Sequence, residues 1–551
     1  METWFIITVS LCISAFIKLF FSIRQSSNLA KLPPGPTIMP IIGSFLWLRK
    51  SYVEIGAILH QLKLKYGPII TLKIGSHPSI FIASHASAHR ALVQAGAVFS
   101  DRPPPPPTNN ILDSYQHNIS AAFYGPNWRL FRRNMAETIM NPVRVKTFSG
   151  GRRWALGVLI QRLLSESRLD SIQVADHLQH AMFCLLVFMC FGEKFEDEKI
   201  REIVRVQRNL SKSVFKFSFL NIWPKVGRIV FKKKWKELIA VREDQNNVLI
   251  PIIKTRLKKG MKGNVEDDDV MAYVDSLVDF KLPEEGNRKL RDEEMVSMCG
   301  EFINAGIDTT STTLLWIMAN LVKYPQIQEK LYQEIVSVVG EGEEVLEVVK
   351  EEELQKMSYL RAVVLEGLRR HPPGHFVLPH SVTEDAELDG YVIPKNATVH
   401  FMVAEMGRDG EVWKDPMEFR PERFLSGNGG EEGFDVTCRK EIKMMPFGAG
   451  RRICPANTLA LLHLEYFVAN LIWKFEWKPA AGNHDVDLSE KQEFTIGMKY
   501  PLVVSLSPRY ARTLMLSTPL GAPTPHHSFP SDPPSIYPNI LQNQISIQTD
   551  R

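Results

Sequence analysis

The chain has 551 residues, of which 44% are hydrophobic and 23% charged, and its formal net charge is +5. Those proportions are ordinary for a globular protein with a sizeable core. The basic residues are interleaved with acids instead of being gathered in a tail, which argues against a nucleic-acid partner. Six cysteines, at positions 12, 184, 190, 299, 438 and 454, form no CxxC pair and no zinc-type spacing. Such sparse usage suits a reducing compartment and not a disulfide framework.

The chain opens on "WFIITVSLCISAFIKLFFSI", residues 4–23, an apolar run of about the 20 residues a helix needs to cross a bilayer. Lys18 lies near its C-terminal end, where a long side chain snorkels to the headgroups. A cleaved signal peptide is the alternative, but its apolar region is usually shorter and its N-terminus positive, whereas Glu2 is the only charge ahead of this run. Residues 1–24 therefore read as a transmembrane anchor, and Arg24, Lys31, Arg49 and Lys50 behind it leave the body in the cytosol.

"LPPGP", 32–36, lies in a proline-rich hinge over 25–44 and reads as a stiff spacer. From 45 to 511 the pattern is one large domain, mainly α with small β-sheets. "PIITLKI" (68–74) and "SIFIAS" (79–84) predict a hairpin, and "LDGYVIPKNATVHFMV" (388–403) and "TIGMKYPLVVSL" (495–506) supply further strands. Long helices are expected from about Asp292 to Val322 and over "ALLHLEYFVANLIWKF" (460–475). "NVEDDD" (264–269) and "LSGNGGEEG" (425–433) read as solvated connections. The tail over 512–551, rich in Pro and Ser and without periodicity, reads as disordered.

"FGAGRRICPA", 447–456, brackets one cysteine with glycines, arginines and a proline. A structural thiol, a reactive nucleophile and a metal ligand all remain open for Cys454. A buried thiolate needs donors nearby, because burial alone favours the neutral thiol. Gly448 and Gly450 permit a turn that brings amides to the sulfur, and a helix starting just beyond offers its positive end. Phe447 can shield the sulfur and Arg452 can pair with an anionic ligand group. With no Cys or His nearby, the position suits an axial ligand to haem iron better than a zinc ligand.

Four other motifs are each commonplace alone. "WRLFR" puts Trp128 and Arg132 four apart on a helix. "AGIDTT" (305–310) sets Gly306, Asp308 and Thr309 in the long helix, where a threonine hydroxyl can bond back to a carbonyl and loosen the turn. "EGLR" pairs Glu366 with Arg369 ahead of "HPP", which ends that helix; "FRPERF" carries Arg423.

Taken in this order, with Phe447, Gly450, Arg452 and Cys454 matching F-x-x-G-x-R-x-C, the chain resembles the cytochrome P-450 monooxygenases. The resemblance covers nearly everything up to about residue 510. It implies the cytochrome P-450 fold with an N-terminal transmembrane helix, haem b (iron protoporphyrin IX) as cofactor, and Cys454 as the iron's ligand.

It further implies haem-propionate contacts from Trp128 and Arg132, and from His380 in "FVLPH", where many relatives carry an arginine. Asp308 and Thr309 would deliver protons to bound dioxygen. Glu366, Arg369 and Arg423 would form a buried positioning triad. By position, Phe302, Ala305, Phe376, Val377, Leu378, Ile496 and Met498 would line the substrate pocket. Electrons would come from NADPH through a flavin-containing reductase docked on a basic face of Arg129, Arg133, Arg439, Lys440, Lys443 and Arg451. The implied setting is the endoplasmic reticulum membrane, with membrane lipid as a partner.

"VVLEGLRRHPPGHFVLPH" and "FMVAEMGRDGEVW" are similar to the plant microsomal branch, and within it to a group linked to linear tetrapyrrole catabolites of chlorophyll; a sister group acts on fatty acids. The implied reaction inserts one oxygen atom from O2 into an apolar plant metabolite. Two alternatives are a haem-thiolate isomerase, which typically lacks the acid–threonine pair, and a non-catalytic haem-binding membrane protein. Ala456, where the pattern usually has glycine, is the one departure in the cysteine loop, and its methyl is expected to crowd the helix against the haem. The tail beyond Arg512 also lies outside the family pattern.

Overall fold

The computed structural model describes Ser10 and residues 32–36, 52–74, 77–112, 117–168, 171–221, 224–260, 270–340, 347–425, 434–482 and 485–509. The anchor at 1–24 apart from Ser10, most of the hinge, the connections at 264–269 and 426–433, and the tail from 512 lie outside the described residues. Among the described residues no helix is long and apolar enough to cross a membrane. The "LPPGP" segment is no free spacer, since Thr71 N–H donates to Pro34 O at 2.9 Å and ties it to the first strand.

Helix α1 (Tyr52–Tyr66) leads into β1 (Ile69–Ile74) and β2 (His77–Ile82), the antiparallel hairpin expected from sequence, with Ile69 opposite Ile82. The main helices follow in order: α2 (Pro126–Thr138), α3 (Ser149–Glu166), α4 (Ala175–Phe191), α5 (Asp197–Lys216), α6 (Lys232–Gly260), α7 (Asp292–Lys323), α8 (Ser358–Arg370) and α9 (Asn457–Lys474). Strands β3 (Ile172–Gln173), β4 (His380–Ser381), β5 (Thr398–Phe401), β6 (Phe475–Pro479), β7 (Glu490–Gln492), β8 (Ile496–Met498) and β9 (Val503–Pro508) lie between and after them.

One sheet runs β1-β2-β5-β4, with β2 and β5 parallel; a second runs β6-β9-β3, and β7-β8 is a separate hairpin. Mainly helical with small sheets is therefore the observed class.

Two features position the site. The first is α7, most of whose 32 residues are buried, with its apolar side chains in the main core. Helix α4, nearly all apolar, lies against it, and Gly306 permits that closeness: a Cβ there would stand 2.7 Å from Leu186 Cδ1. Gly306 thus serves helix packing, and α7 runs unbroken through the threonines that were expected to loosen it. The second is the sheet, whose Ile80, Ile82, Val399 and Phe401 share a core with Met445 and Ala449, so the approach to Cys454 is laid on a rigid surface.

A buried ionic knot ties α8 to that approach. Glu366 accepts from Arg369 Nε at 2.7 Å and from Arg423 Nε at 3.1 Å, and Arg420 N–H adds a bond of 2.8 Å. Arg369 also donates to the carbonyls of Gly407 at 2.6 Å and Pro416 at 2.8 Å. Such a knot adds little net stability over apolar packing, but breaking it strands a buried charge. Glu366→Ala is expected to lower unfolding stability by about 3–5 kcal/mol, measured by chemical denaturation; a loss within about 1 kcal/mol would show the charges are not mutually dependent.

Candidate active site

The cysteine loop is closed by its own backbone. Cys454 N–H donates to Phe447 O at 2.8 Å, and Ile453 N–H to Gly450 O at 3.2 Å. Gly450 sits at φ +67°, and a Cβ there would lie 1.9 Å from Leu92 O, so no other residue fits. Cys454 is partly buried: desolvation pushes the thiol above its usual range, while the Ala456 amide and the Arg132 charge pull it back toward the thiolate. Ala456 has φ −102°, a conformation open to any L-residue, so the backbone gives no reason for strain there. Helix α9 begins at Asn457 and points its positive end at the loop.

Two donors on α2 are unspent. Trp128 Nε1 is buried and has no hydrogen-bond partner among the described residues. Arg132, one turn on and within electrostatic reach of Cys454, has no hydrogen bond or ion pair among the described residues. A buried indole N–H and, one turn on, a half-buried guanidinium within electrostatic reach of a partly buried cysteine fit a planar metal-bearing group with anionic arms, so these residues suit haem.

Arg452 and His380 are placed differently from the expectation. Arg452 spends its donors on the carbonyls of Ser100 at 2.7 Å, Ile119 at 3.1 Å and Ala122 at 2.7 Å, while its guanidinium lies 4.5 Å from the Trp128 ring centroid. His380 is buried, with Nδ1 bonded to Phe99 O at 2.6 Å. Burial and the Arg102 charge lower its pKa to about 3.

On α7 one turn is open. Ala305 is exposed in the middle of an otherwise buried helix, and Thr309, one turn on, donates its hydroxyl to Ala305 O at 2.6 Å. Asp308 turns aside toward α4, accepting from Gln179 Nε2 at 3.0 Å, and Gln179 Oε1 in turn accepts from Arg208. Burial raises the Asp308 pKa, with Gln179 and Arg208 opposing. Beyond the open turn, Thr312 meets the Thr495 hydroxyl at 2.8 Å, and Trp316 Nε1 donates to Ile496 O at 2.8 Å, which pins the β7-β8 hairpin to the same helix.

The expected pocket residues divide. Ala305 is open, Leu378 is 57% exposed, Val377 packs beside the cysteine-loop core, and Met498 is half-buried on the hairpin with Ile496 beneath it. Phe302 and Phe376 belong elsewhere. Phe302 stacks on Tyr273 at 5.0 Å in the main core, and Phe376 meets Phe81 edge-on at 6.1 Å on the sheet. Large rings at these points fill apolar gaps that the sequence did not reveal.

Several participants escaped the sequence reading. Gln179 and Arg208 hold Asp308, while Glu301 and Arg102 hold the loop after Asp101. Gln179, Arg208 and Glu301 lie on helices a hundred residues or more from what they hold, while Arg102 is 18 residues from Ser120 in an irregular stretch; the one available signal was an acid, Glu301, on an otherwise apolar helical stretch.

A helical body with small sheets, built around a partly buried cysteine loop and a helix with unspent indole and guanidinium donors, defines a haem-thiolate oxidoreductase. The family model for cytochrome P-450 matches residues 33–503, and the chain belongs to that family. It is similar to cytochrome P-450 89A9 of Arabidopsis thaliana, 48% identical over 92% of this chain and 98% of the relative. A flavonoid 3'-monooxygenase of Arabidopsis thaliana is 30% identical over 90% of this chain and 95% of its own length. A zebrafish cytochrome P-450 structure with progesterone aligns over 83% of this chain and 99% of its own, with a TM-score of 0.68 and 22% identity.

The protein is thus a haem-thiolate monooxygenase, which incorporates oxygen from O2 into a small molecule with electrons from NADPH through a reductase.

Gly450→Ala is expected to abolish haem incorporation, because neither its φ nor the Leu92 carbonyl leaves room for a methyl. Ala456→Gly is expected to leave haem content unchanged. Haem-to-protein absorbance ratios of the purified variants test both; normal content in Gly450→Ala would contradict the packing of this turn.

Proposed function

We propose that the protein oxidises a large, mainly apolar plant metabolite at a haem held by Cys454, Trp128 and Arg132, on the cytosolic side of the endoplasmic reticulum membrane. The observation that carries this reading is the partly buried Cys454 within electrostatic reach of Arg132, which with Trp128 one turn back on α2 leaves its donors unspent among the described residues. Haem, when bound, supplies reduction of dioxygen and transfer of one oxygen atom, and the thiolate's electron donation favours O–O cleavage.

The chain supplies the rest. Cys454 is the ligand; the Ala456 amide and the Arg132 charge favour its anion. Trp128 Nε1 and Arg132 orient the cofactor through its carboxylates. Thr309 is the proton donor nearest the open turn, releasing its bond to Ala305 O in order to donate outward. Asp308, its pKa raised by burial, replenishes that proton through water, and Gln179 with Arg208 aims the carboxyl. Ala305, Val377, Leu378 and Met498 supply apolar walls, and the likeness to the group linked to linear tetrapyrroles makes such compounds the first substrates to test.

Two surfaces support the partners. Arg129, Arg133, Arg439, Lys440 and Arg451 are exposed, and Arg129 and Arg451 both stack on the Tyr124 ring, at 5.1 Å and 5.5 Å. That ring links α2 to the cysteine loop, which suits docking of an acidic reductase near the haem. Lys443 is half-buried and pairs with Glu441 at 3.2 Å. Elsewhere, between α5 and α6, Phe219, Ile229, Val230 and Phe231 are exposed beside Lys225, Arg228, Lys232 and Lys233. An apolar patch rimmed by cations suits an anionic lipid surface.

Cys454→Ser is expected to lose the thiolate signature of the reduced carbon monoxide complex. Thr309→Ala is expected to keep it while forming about tenfold less product per NADPH consumed, or less still. A Thr309→Ala variant that stays fully coupled would remove the proton-delivery role. For the lipid surface, Ile229→Asp with Phe231→Asp is expected to reduce co-sedimentation with anionic vesicles about tenfold. The comparison uses protein lacking residues 1–24, and unchanged binding would count against the patch.

A further inference from the structure

Near the open turn of α7 the chain passes through residues 117–122, where Ile119 and Ala122 pack into the main core and charged side chains hold the backbone. Ile119 N–H donates to Glu301 Oε2 at 2.7 Å and Ser120 N–H to Glu301 Oε1 at 2.6 Å. Ile119 O accepts from Arg452 at 3.1 Å, and Ser120 O from Arg102 Nε at 2.7 Å. All four backbone polar groups of these two residues are therefore held by charged side chains from three separate parts of the fold.

Those parts are the walls of the site. Glu301 stands on α7 one turn before the exposed Ala305. Arg452 belongs to the cysteine loop. Arg102 also donates to the carbonyls of Leu378 at 2.9 Å and Pro379 at 2.7 Å, on the segment entering β4. Each Glu301 oxygen accepts one of the two amides.

Burial raises the Glu301 pKa while the Ile119 and Ser120 amides and the Arg102 charge oppose it. A half-buried carboxylate gains from partners that are held in place, and the docked loop supplies two of them.

We propose that Glu301 is a positioning residue that sets the roof of the substrate pocket, by clamping Ile119 and Ser120 between α7, the cysteine loop and the Leu378 segment. The roof at 118–122 is then a fixed wall and does not swing aside to admit substrate. Ligands that reach the roof sense Glu301, and ligands that stay beside the iron do not. The proposal rests on the haem pocket proposed above, but the clamp itself can be examined without haem chemistry.

Site-resolved hydrogen exchange on the wild-type holoenzyme is the first measurement. The Ile119 and Ser120 amides are expected to exchange as slowly as core amides of α7; exchange at the rate of an unbonded loop overturns the clamp, whatever becomes of the catalytic reading.

Glu301→Gln, which replaces one acceptor oxygen with a donor, is the second. Its exchange at the two amides is expected to rise about tenfold, with the reduced carbon monoxide spectrum unchanged. Imidazole, small enough to stay at the iron, is expected to bind as in wild type, whereas the affinity of phenylimidazole shifts about tenfold. Equal shifts for both azoles, or a shift in neither, overturn the role in pocket shape. Should Glu301→Gln not fold, the wild-type exchange still decides the clamp.

Discussion

A sulfur anion inside a protein is unfavourable unless positive charge is brought to it and held there, and much of this fold answers that requirement. The Cys454 loop supplies an amide from Ala456, helix α9 supplies its N-terminal end, and α2 brings the Arg132 charge. None of these can drift, because α2 and the loop are fastened by shared stacking on Tyr124 and by the Arg452 guanidinium over Trp128. The sheet core beneath Met445 and Ala449 and the Glu366 knot fix the approach from the other side. Stability and ligand geometry are here the same set of contacts.

Helix α7 does for the distal side what the loop does for the proximal side. Its polar side chains at 301, 312 and 316 attach a roof and a hairpin to one helix face, and the turn from 305 to 309 between them stays open. The apolar remainder is committed to α4 and the main core. A rigid spine with polar attachment points can present a small reactive opening without itself becoming loose. The back-bond of Thr309 to Ala305 O leaves the helix regular, so the hydroxyl can switch acceptors with no rearrangement of the backbone.

Charge placement separates residues that resemble one another in sequence. Arg132 and Arg452 both lie near the cysteine, yet among the described residues one makes no hydrogen bond and the other donates to three carbonyls. The first can meet an anionic cofactor arm; the second holds the loop roof. His380 is neutral by burial, and its hydrogen bond to Phe99 O makes it part of the wall. Position in a motif identifies a candidate, while desolvation and partner geometry decide its work.

The primary structure by itself determined the class of fold, the hairpin at 69–82, the two long helices and the cysteine loop, because each is a local pattern of periodicity, turn residues or spacing. It also singled out Glu366, Arg369 and Arg423, whose motifs are short and ordered. Only the tertiary structure decided that Phe302 and Phe376 are packing residues, that Asp308 faces Gln179, and that Glu301 grips a loop about 180 residues before it in the chain. The physical reason is range. Helical and strand patterns depend on neighbours within a few residues, whereas a buried charge or ring is defined by whatever distant chain segments close around it.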